Sequence, residues 1–225
     1  MRYFLVLLMM LPLISLSAQL DILFENSKPI DEKRYKDIKD DCMLFDNWTN
    51  ACLYDIKGLK FNNIPINYNG ESHFLEAKKN EKEFIDVNVK QVPRAVVYDV
   101  EATGMKDLAF MDSLVLINVP RLQTNSTFHI LLYKDLDKLL YLEFYAALNS
   151  VTDQIPGETV VRERFNKKYN LVLINDNGVS KFPVTQKKKI AKEFEDYGDY
   201  IKWCKSNKMK PNQYESLVKF LNANP

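Results

Sequence analysis

Glycine is scarce, with six in 225 residues, and no glycine-rich run is present that could cradle a phosphate through its backbone. Nucleotide chemistry of that kind finds no motif here. Histidine is rarer still, His73 and His129 being the whole supply. They lie far apart and neither has a second donor at ligand spacing, whereas a zinc site wants three or four convergent His, Cys or carboxylate groups. No metal ligand set and no cofactor are therefore expected. Neither sign of charge is in excess: 31 basic and 30 acidic side chains leave a net charge of +1, so no general attraction to nucleic acid or to an anionic membrane follows. The serines sit in no strained Gly-x-Ser-x-Gly elbow. The acids Asp37, Asp40, Asp41 and Asp46 lack the alternating ligand order and central glycine of a helix-loop-helix calcium site. No catalytic residue can be named.

Long apolar runs are also lacking, with one exception at the start. Met1-Arg2 is a short positive beginning, Tyr3 to Leu16 is apolar apart from Pro12 and Ser15, and Ser17-Ala18 supplies small residues before Gln19. Residues 1–18 thus have the layout of a secretory signal peptide. The run is shorter than the roughly 20 residues that a membrane-spanning helix needs, and a buried N-terminal helix is the competing interpretation. No cysteine follows the run, which argues against a lipid anchor. The expectation is a soluble, extracytoplasmic protein, periplasmic or secreted, with no transmembrane segment after cleavage near Ala18-Gln19.

Three cysteines, Cys42, Cys52 and Cys204, cannot form a complete set of intrachain bridges. Cys42 and Cys52 are close enough to face each other across adjacent strands in an oxidising compartment, so a disulfide between them is expected. Two free buried thiols are the alternative, and strand register decides between them. Cys204 falls on an apolar helical stripe and reads as a small core residue.

Tyrosine and phenylalanine, 12 and 13 in number, fit a strand-rich body. Residues 19–41 form a polar lead-in. From 42 to 183 short apolar stretches alternate with polar turns, predicting strands near 42–45, 50–55, 60–68, 71–77 and 83–92. A second group follows near 108–119, 127–133, 139–147, 160–165 and 169–175. Asn69-Gly70 has the chemistry of a two-residue hairpin turn with both residues at positive φ. Leu139 to Leu148 could also form a helix, but its Tyr141, Phe144 and Tyr145 favour strand. Short connections require antiparallel neighbours. The predicted fold class is α+β: a mainly antiparallel, strongly curved sheet, barrel-like or a sandwich, followed over 184–225 by a helical hairpin. In that hairpin Ile190, Phe194, Tyr197, Ile201 and Cys204 form one stripe, and Tyr214, Leu217, Val218 and Leu221 a second. Gly198 weakens the first helix, and Pro211 can open the second. Lys187, Lys188, Lys189, Lys202, Lys205, Lys208 and Lys210 mark a wet helix face.

The block Asp41-Cys42-Met43-Leu44-Phe45-Asp46-Asn47-Trp48, with Gly58, Lys60-Phe61, Ile66-Asn67-Tyr68-Asn69 and Phe74-Leu75-Glu76 after it, resembles the opening of a family of uncharacterised secreted proteins from Bacteroidetes-type bacteria. Members of that family also commonly end in a Lys-rich segment and two short helices, as Phe182 to Asn222 does here. Where the family has a Gly-x-Pro-Tyr stretch, this chain has Asp40-Asp41-Cys42-Met43. The resemblance implies export and this fold, and carries no assigned activity.

Asp112-Ser113-Leu114 resembles a short O-glycosylation motif of extracytoplasmic Bacteroidetes proteins, while the sequons at Asn47 and Asn125 would matter only in a eukaryotic pathway. The leading expectation is a non-enzymatic binding or envelope-associated module whose partner is an envelope protein, a glycan or a lipid. An apolar-ligand carrier and a secreted hydrolase are the alternatives. A carboxylate pair for the latter would be recognised only by its separation in the fold.

Overall fold

The computed structural model describes residues 29–31, 38, 41–80, 82–120, 122, 127–155, 158–186 and 197–223. The proposed signal segment 1–18, most of the lead-in, the Asn125 sequon residue, Lys187 to Lys189, Ile190 and Phe194 lie outside the described residues.

Among the described residues ten strands make the body: β1 Thr49–Tyr54, β2 Lys60–Asn69, β3 Phe74–Asn80, β4 Glu83–Asp86, β5 Arg94–Val97, β6 Leu114–Ile117, β7 His129–Lys134, β8 Leu139–Ile155, β9 Glu158–Asn175 and β10 Gly178–Pro183. They form one sheet in the order β10-β9-β8-β7-β6-β5-β1-β2-β3-β4, and all neighbours are antiparallel. Helices α1 Tyr197–Ser206 and α2 Tyr214–Ala223 follow. The mixed α+β class, the antiparallel sheet and the terminal helix pair are as expected; the curled, barrel-like or sandwich form is not. A barrel must pair its first and last strands, and here β10 and β4 remain separate edges of one open sheet. The β4 edge is instead taken by Pro29, which bridges to Ile85, and by the Ile30 N–H, which bonds Phe84 O at 2.9 Å.

Several strands differ from their predicted bounds for identifiable reasons. β9 is unbroken through the polar run Asn166-Lys167-Lys168, because every residue of β8 has a partner on it. The ladder overrides a local turn signal there. β5 is only four residues long and takes its place beside β1 rather than beside β4. Residues 101–103 and 106–108 are 3-10 turns, so the strand expected from 108 starts only at Leu114.

The turn after β2 also departs from the two-residue form. Asn69 pairs with Phe74, and the positive φ falls on His73, at 63°. Asn69 shapes the turn with its side chain, Oδ1 accepting the Glu71 and Ser72 N–H groups at 2.9 and 3.0 Å. Gly70 serves close approach instead. Its carbonyl accepts the Ala146 N–H at 2.8 Å, and a Cβ there would lie 2.7 Å from that nitrogen and against the Phe144 ring. β7 pairs with β8 only from Leu139 to Leu142, so the turn occupies the lane beside β8 that β7 leaves open.

One apolar cluster draws on the sheet, the 3-10 turns and both helices. Cys204 on the first stripe and Tyr214, Leu217, Val218 and Leu221 on the second are buried as expected, whereas Tyr197 and Ile201 are half-buried and Tyr200, outside the predicted stripe, is buried beside Cys204. The rings of Tyr200 and Trp203 pack on Phe220 at 5.1 and 5.7 Å, and the Tyr200 hydroxyl donates to Pro211 O at 2.9 Å. Each fully buried Leu or Phe is worth about 1.5–3 kcal/mol, so packing rather than propensity orders these ten-residue helices. A smaller cluster, centred on Leu122, Tyr141 and Val172, lies on the β8–β9 part of the sheet.

Candidate functional site

Between the sheet, the 3-10 turns and α2 lies a cleft of about 340 Å³, floored by Leu44, Leu108 and Leu142 and walled by Asp46, Lys106, Asp107, Lys167, Tyr169 and Tyr214. A second depression of about 650 Å³, also lined by Lys106, Asp107 and Tyr214, extends it toward Lys210, Gln213 and Glu215. Volumes of this order are those of small-molecule sites.

Each wall has a local cause. Residues 42–46 run along the end of β2, with the Leu44 N–H on Tyr68 O at 2.8 Å and the Asn67 side chain bracketing Phe45. The Asp46 N–H then reaches Thr103 O at 3.0 Å. Gly104 closes the first 3-10 turn at φ 75°, a conformation that glycine adopts without steric cost. It is also the residue against which Asp46 rests: a Cβ at Gly104 would overlap the Asp46 carboxylate. Lys167 and Tyr169 alternate along β9 onto the same side. Tyr214 is the first residue of α2.

Burial pushes the Tyr169 phenol up from its ordinary value, and the carboxylates of Asp46, Asp41 and Asp107 push it the same way. Tyr214 is pushed up further, by burial, by Asp107 and by Tyr169. Both phenols therefore stay neutral and serve as hydrogen-bond donors and acceptors rather than as nucleophiles. The Lys167 ammonium pairs with Asp41 at 2.7 Å, a half-open contact of little net worth. The cleft thus offers carboxylate acceptors, phenol hydroxyls and ammonium donors above an apolar floor.

The two histidines converge on a different group. The β7–β8 register sets His129 across from Glu143, one step beyond the Ile130–Leu142 pair. Glu143 is 1% exposed and accepts from Lys181 Nζ at 2.6 Å and Asn170 Nδ2 at 2.8 Å. Burial lowers the His129 pKa to about 4, Glu143 opposing the shift and Lys181 adding to it. His73 is lowered as well, by burial, against Glu71 and Glu143. Among the described residues no three metal donors come together. Glu143 thus links β8 to Asn170 on β9 and to Lys181 on β10, an ion pair on a buried carboxylate within the sheet.

The expected Cys42–Cys52 bridge is not formed: all three cysteines are buried thiols outside any disulfide. The Cys42 thiol donates to Asn69 Oδ1 at 3.4 Å and the Cys52 thiol to Asn62 Oδ1 at 3.1 Å. Those acceptors stand at opposite ends of β2, about 23 Å apart along the strand, beyond any disulfide. Of the acids weighed for calcium, Asp41 and Asp46 reach the cleft region and Asp37 and Asp40 lie outside the described residues. Asp112 is exposed, Ser113 half-buried and Leu114 buried on β6. Asp112 and Ser113 border a shallow groove with Val218 and Lys219. Asp107, Lys167, Tyr169 and Tyr214 were not foreseen as site residues, since no two of them share a motif.

No protein-family model, curated protein or solved structure matches this chain.

Proposed function

We propose that this chain is an extracytoplasmic, non-enzymatic binding module of the cell envelope that holds a hydroxyl-rich, glycan-class ligand in the cleft between sheet and helices. The observation that carries this is the convergence of Asp46, Asp107, Tyr169 and Tyr214 above Leu44, Leu108 and Leu142. Sugar hydroxyls are donors that carboxylates and neutral phenols accept, and the apolar C–H face of a ring suits a leucine floor and tyrosine walls. The charged start and short apolar run of residues 1–18 support export. They also support the proposal that the chain belongs with the secreted Bacteroidetes-type proteins that its 41–76 block resembles.

Calorimetric titration against a panel of neutral and acidic oligosaccharides tests the function. A binder should lose at least about tenfold in affinity on Asp107→Ala and on Tyr214→Phe, since each removes a hydrogen bond to a charged or buried group. One feature favours a hydrolase as the second reading: two carboxylates, Asp46 and Asp107, line one cleft, the arrangement that glycoside hydrolysis needs. Turnover of a chromogenic glycoside that disappears in both Asp46→Asn and Asp107→Asn would establish the hydrolase instead.

A further inference from the structure

The hairpin tip between β1 and β2 presents two aliphatic side chains to water on a turn with no freedom to hide them. Ile56 is 67% and Leu59 57% exposed. Between them the Asp55 carboxylate accepts the N–H groups of Lys57 and Leu59 at 2.8 and 2.7 Å. The Asp55 N–H bonds Leu59 O, and the Gly58 N–H bonds Asp55 O, each at 3.0 Å. Gly58 supplies the left-handed corner at φ 82°. The Ile56 N–H bonds Gln91 O at 2.9 Å, fixing the tip to the neighbouring 88–92 turn. Scattered exposed aliphatics need no explanation, but a matched pair held out on a rigid convex corner is preorganised for burial against something.

What surrounds the pair decides the partner. Lys57, Lys60, Lys90 and Arg94 are exposed around it, and the nearest carboxylate, Asp55, is already engaged by backbone N–H groups. On the adjoining sheet face, Arg94 stacks over the Tyr54 ring at 5.0 Å and Lys60 over the Tyr98 ring at 5.9 Å. Asp99, next along from Tyr98, is turned to the Ala102 N–H. A protein interface core is flat, spans about 800 Å² per partner and is depleted of lysine. An apolar corner ringed by lysine and arginine suits a bilayer surface, where apolar side chains enter the interface and the surrounding cations, with Tyr54 and Tyr98 beside them, meet anionic headgroups.

We infer that the β1–β2 tip docks this protein on an anionic lipid bilayer, with Ile56 and Leu59 entering the interface and Lys57, Lys60, Lys90 and Arg94 meeting the headgroups. The attraction is local, which is how a chain of net charge +1 can have it. It does not rest on the cleft or on its ligand, and cleft variants such as Asp107→Ala leave it intact.

The test places a reporter on the tip of the full chain. In Leu59→Trp, the new tryptophan should shift to the blue on phosphatidylglycerol-containing vesicles and be quenched by brominated lipid, with little change on phosphatidylcholine alone. Lys57→Glu with Lys60→Glu in the same background should raise the lipid concentration for half-maximal shift at least about tenfold, as should Ile56→Asp. All four side chains are exposed, and unchanged circular dichroism and melting confirm that the variants fold. An emission spectrum that ignores phosphatidylglycerol vesicles, or a shift that survives the two charge reversals, overturns the inference. So does self-association through the tip in the absence of lipid binding.

Discussion

Asn67 grips the backbone of Phe45 with both ends of its amide, Oδ1 accepting the Phe45 N–H at 3.0 Å and Nδ2 donating to Phe45 O at 2.9 Å. Oδ1 also takes the Tyr68 N–H at 2.8 Å. A side chain 3% exposed thus does the work of a missing strand and sets the path of the segment that carries Asp46 to the cleft. Asn67→Leu keeps the volume and orphans the Phe45 donor and acceptor, so it should cost about 2–4 kcal/mol. Urea melts measure this directly. A loss below about 1 kcal/mol would mean that water or a shifted backbone satisfies Phe45.

Two glycines should respond oppositely in size to the same substitution. Gly70→Ala drives a methyl into the Phe144 ring and the Ala146 N–H, and overpacking against backbone costs about 1–3 kcal/mol. Gly58→Ala meets open space at φ 82°, so only the left-handed backbone penalty of about 1–2 kcal/mol applies. Thermal melts of the two variants should therefore rank Gly70→Ala as the more damaging. The reverse order would contradict the lodging of the 70–73 turn beside β8.

Stability should fall in mild acid through His129. Its folded pKa of about 4 lies below the unfolded value of about 6.5, so the unfolded state binds the extra proton. The contribution is complete above about pH 6.5 and disappears as pH drops toward 4, amounting to about 3 kcal/mol over that window. Replacing the group by His129→Gln should flatten that part of the stability curve. An unchanged slope between pH 6.5 and 4 would show that His129 is hydrated rather than desolvated against Glu143.

Three thiols should titrate with Ellman's reagent in denaturant without reductant, and the Cys204 thiol should react slowest in the native state. Burial raises its pKa, the Tyr200 hydrogen bond opposing, which lowers the reactive thiolate fraction. Recovery of a Cys42–Cys52 linked peptide from exported protein would contradict the free thiols and the separation of Asn62 from Asn69.

The sheet was legible where pattern and turn chemistry are local. Ile85 and Val87 alternate with Asp86, and the Asn69-Gly70 region does reverse the chain. The apolar stripe of 214–221 likewise lies buried, while on the first helix Cys204 is buried and Tyr197 and Ile201 are half-buried. Closure was not legible, because whether β4 pairs with β10 or with Pro29 depends on partners far away in the chain. Arg94 to Val97 was too short to stand out, and the lysines of β9 read as a turn until Leu139 to Ile155 are seen beside them. The cleft was hidden for a related reason. Asp46, Asp107, Tyr214 and the Lys167–Tyr169 pair of β9 come from four separate stretches of chain and are ordinary residues in each. The one local hint was Asn67-Tyr68-Asn69, two amides inside an apolar strand, which mark buried backbone pairing rather than chemistry.

The measurement that bears most directly on the central claim is a two-dimensional amide spectrum of the isotope-labelled protein titrated with the oligosaccharide panel. Saturable shifts should gather at Asp46, Gly104, Asp107, Tyr169 and Tyr214 and weaken in Asp107→Ala. Saturable shifts confined to other surfaces, or binding that survives Asp46→Ala and Asp107→Ala together, would contradict the assignment of the cleft as the ligand site.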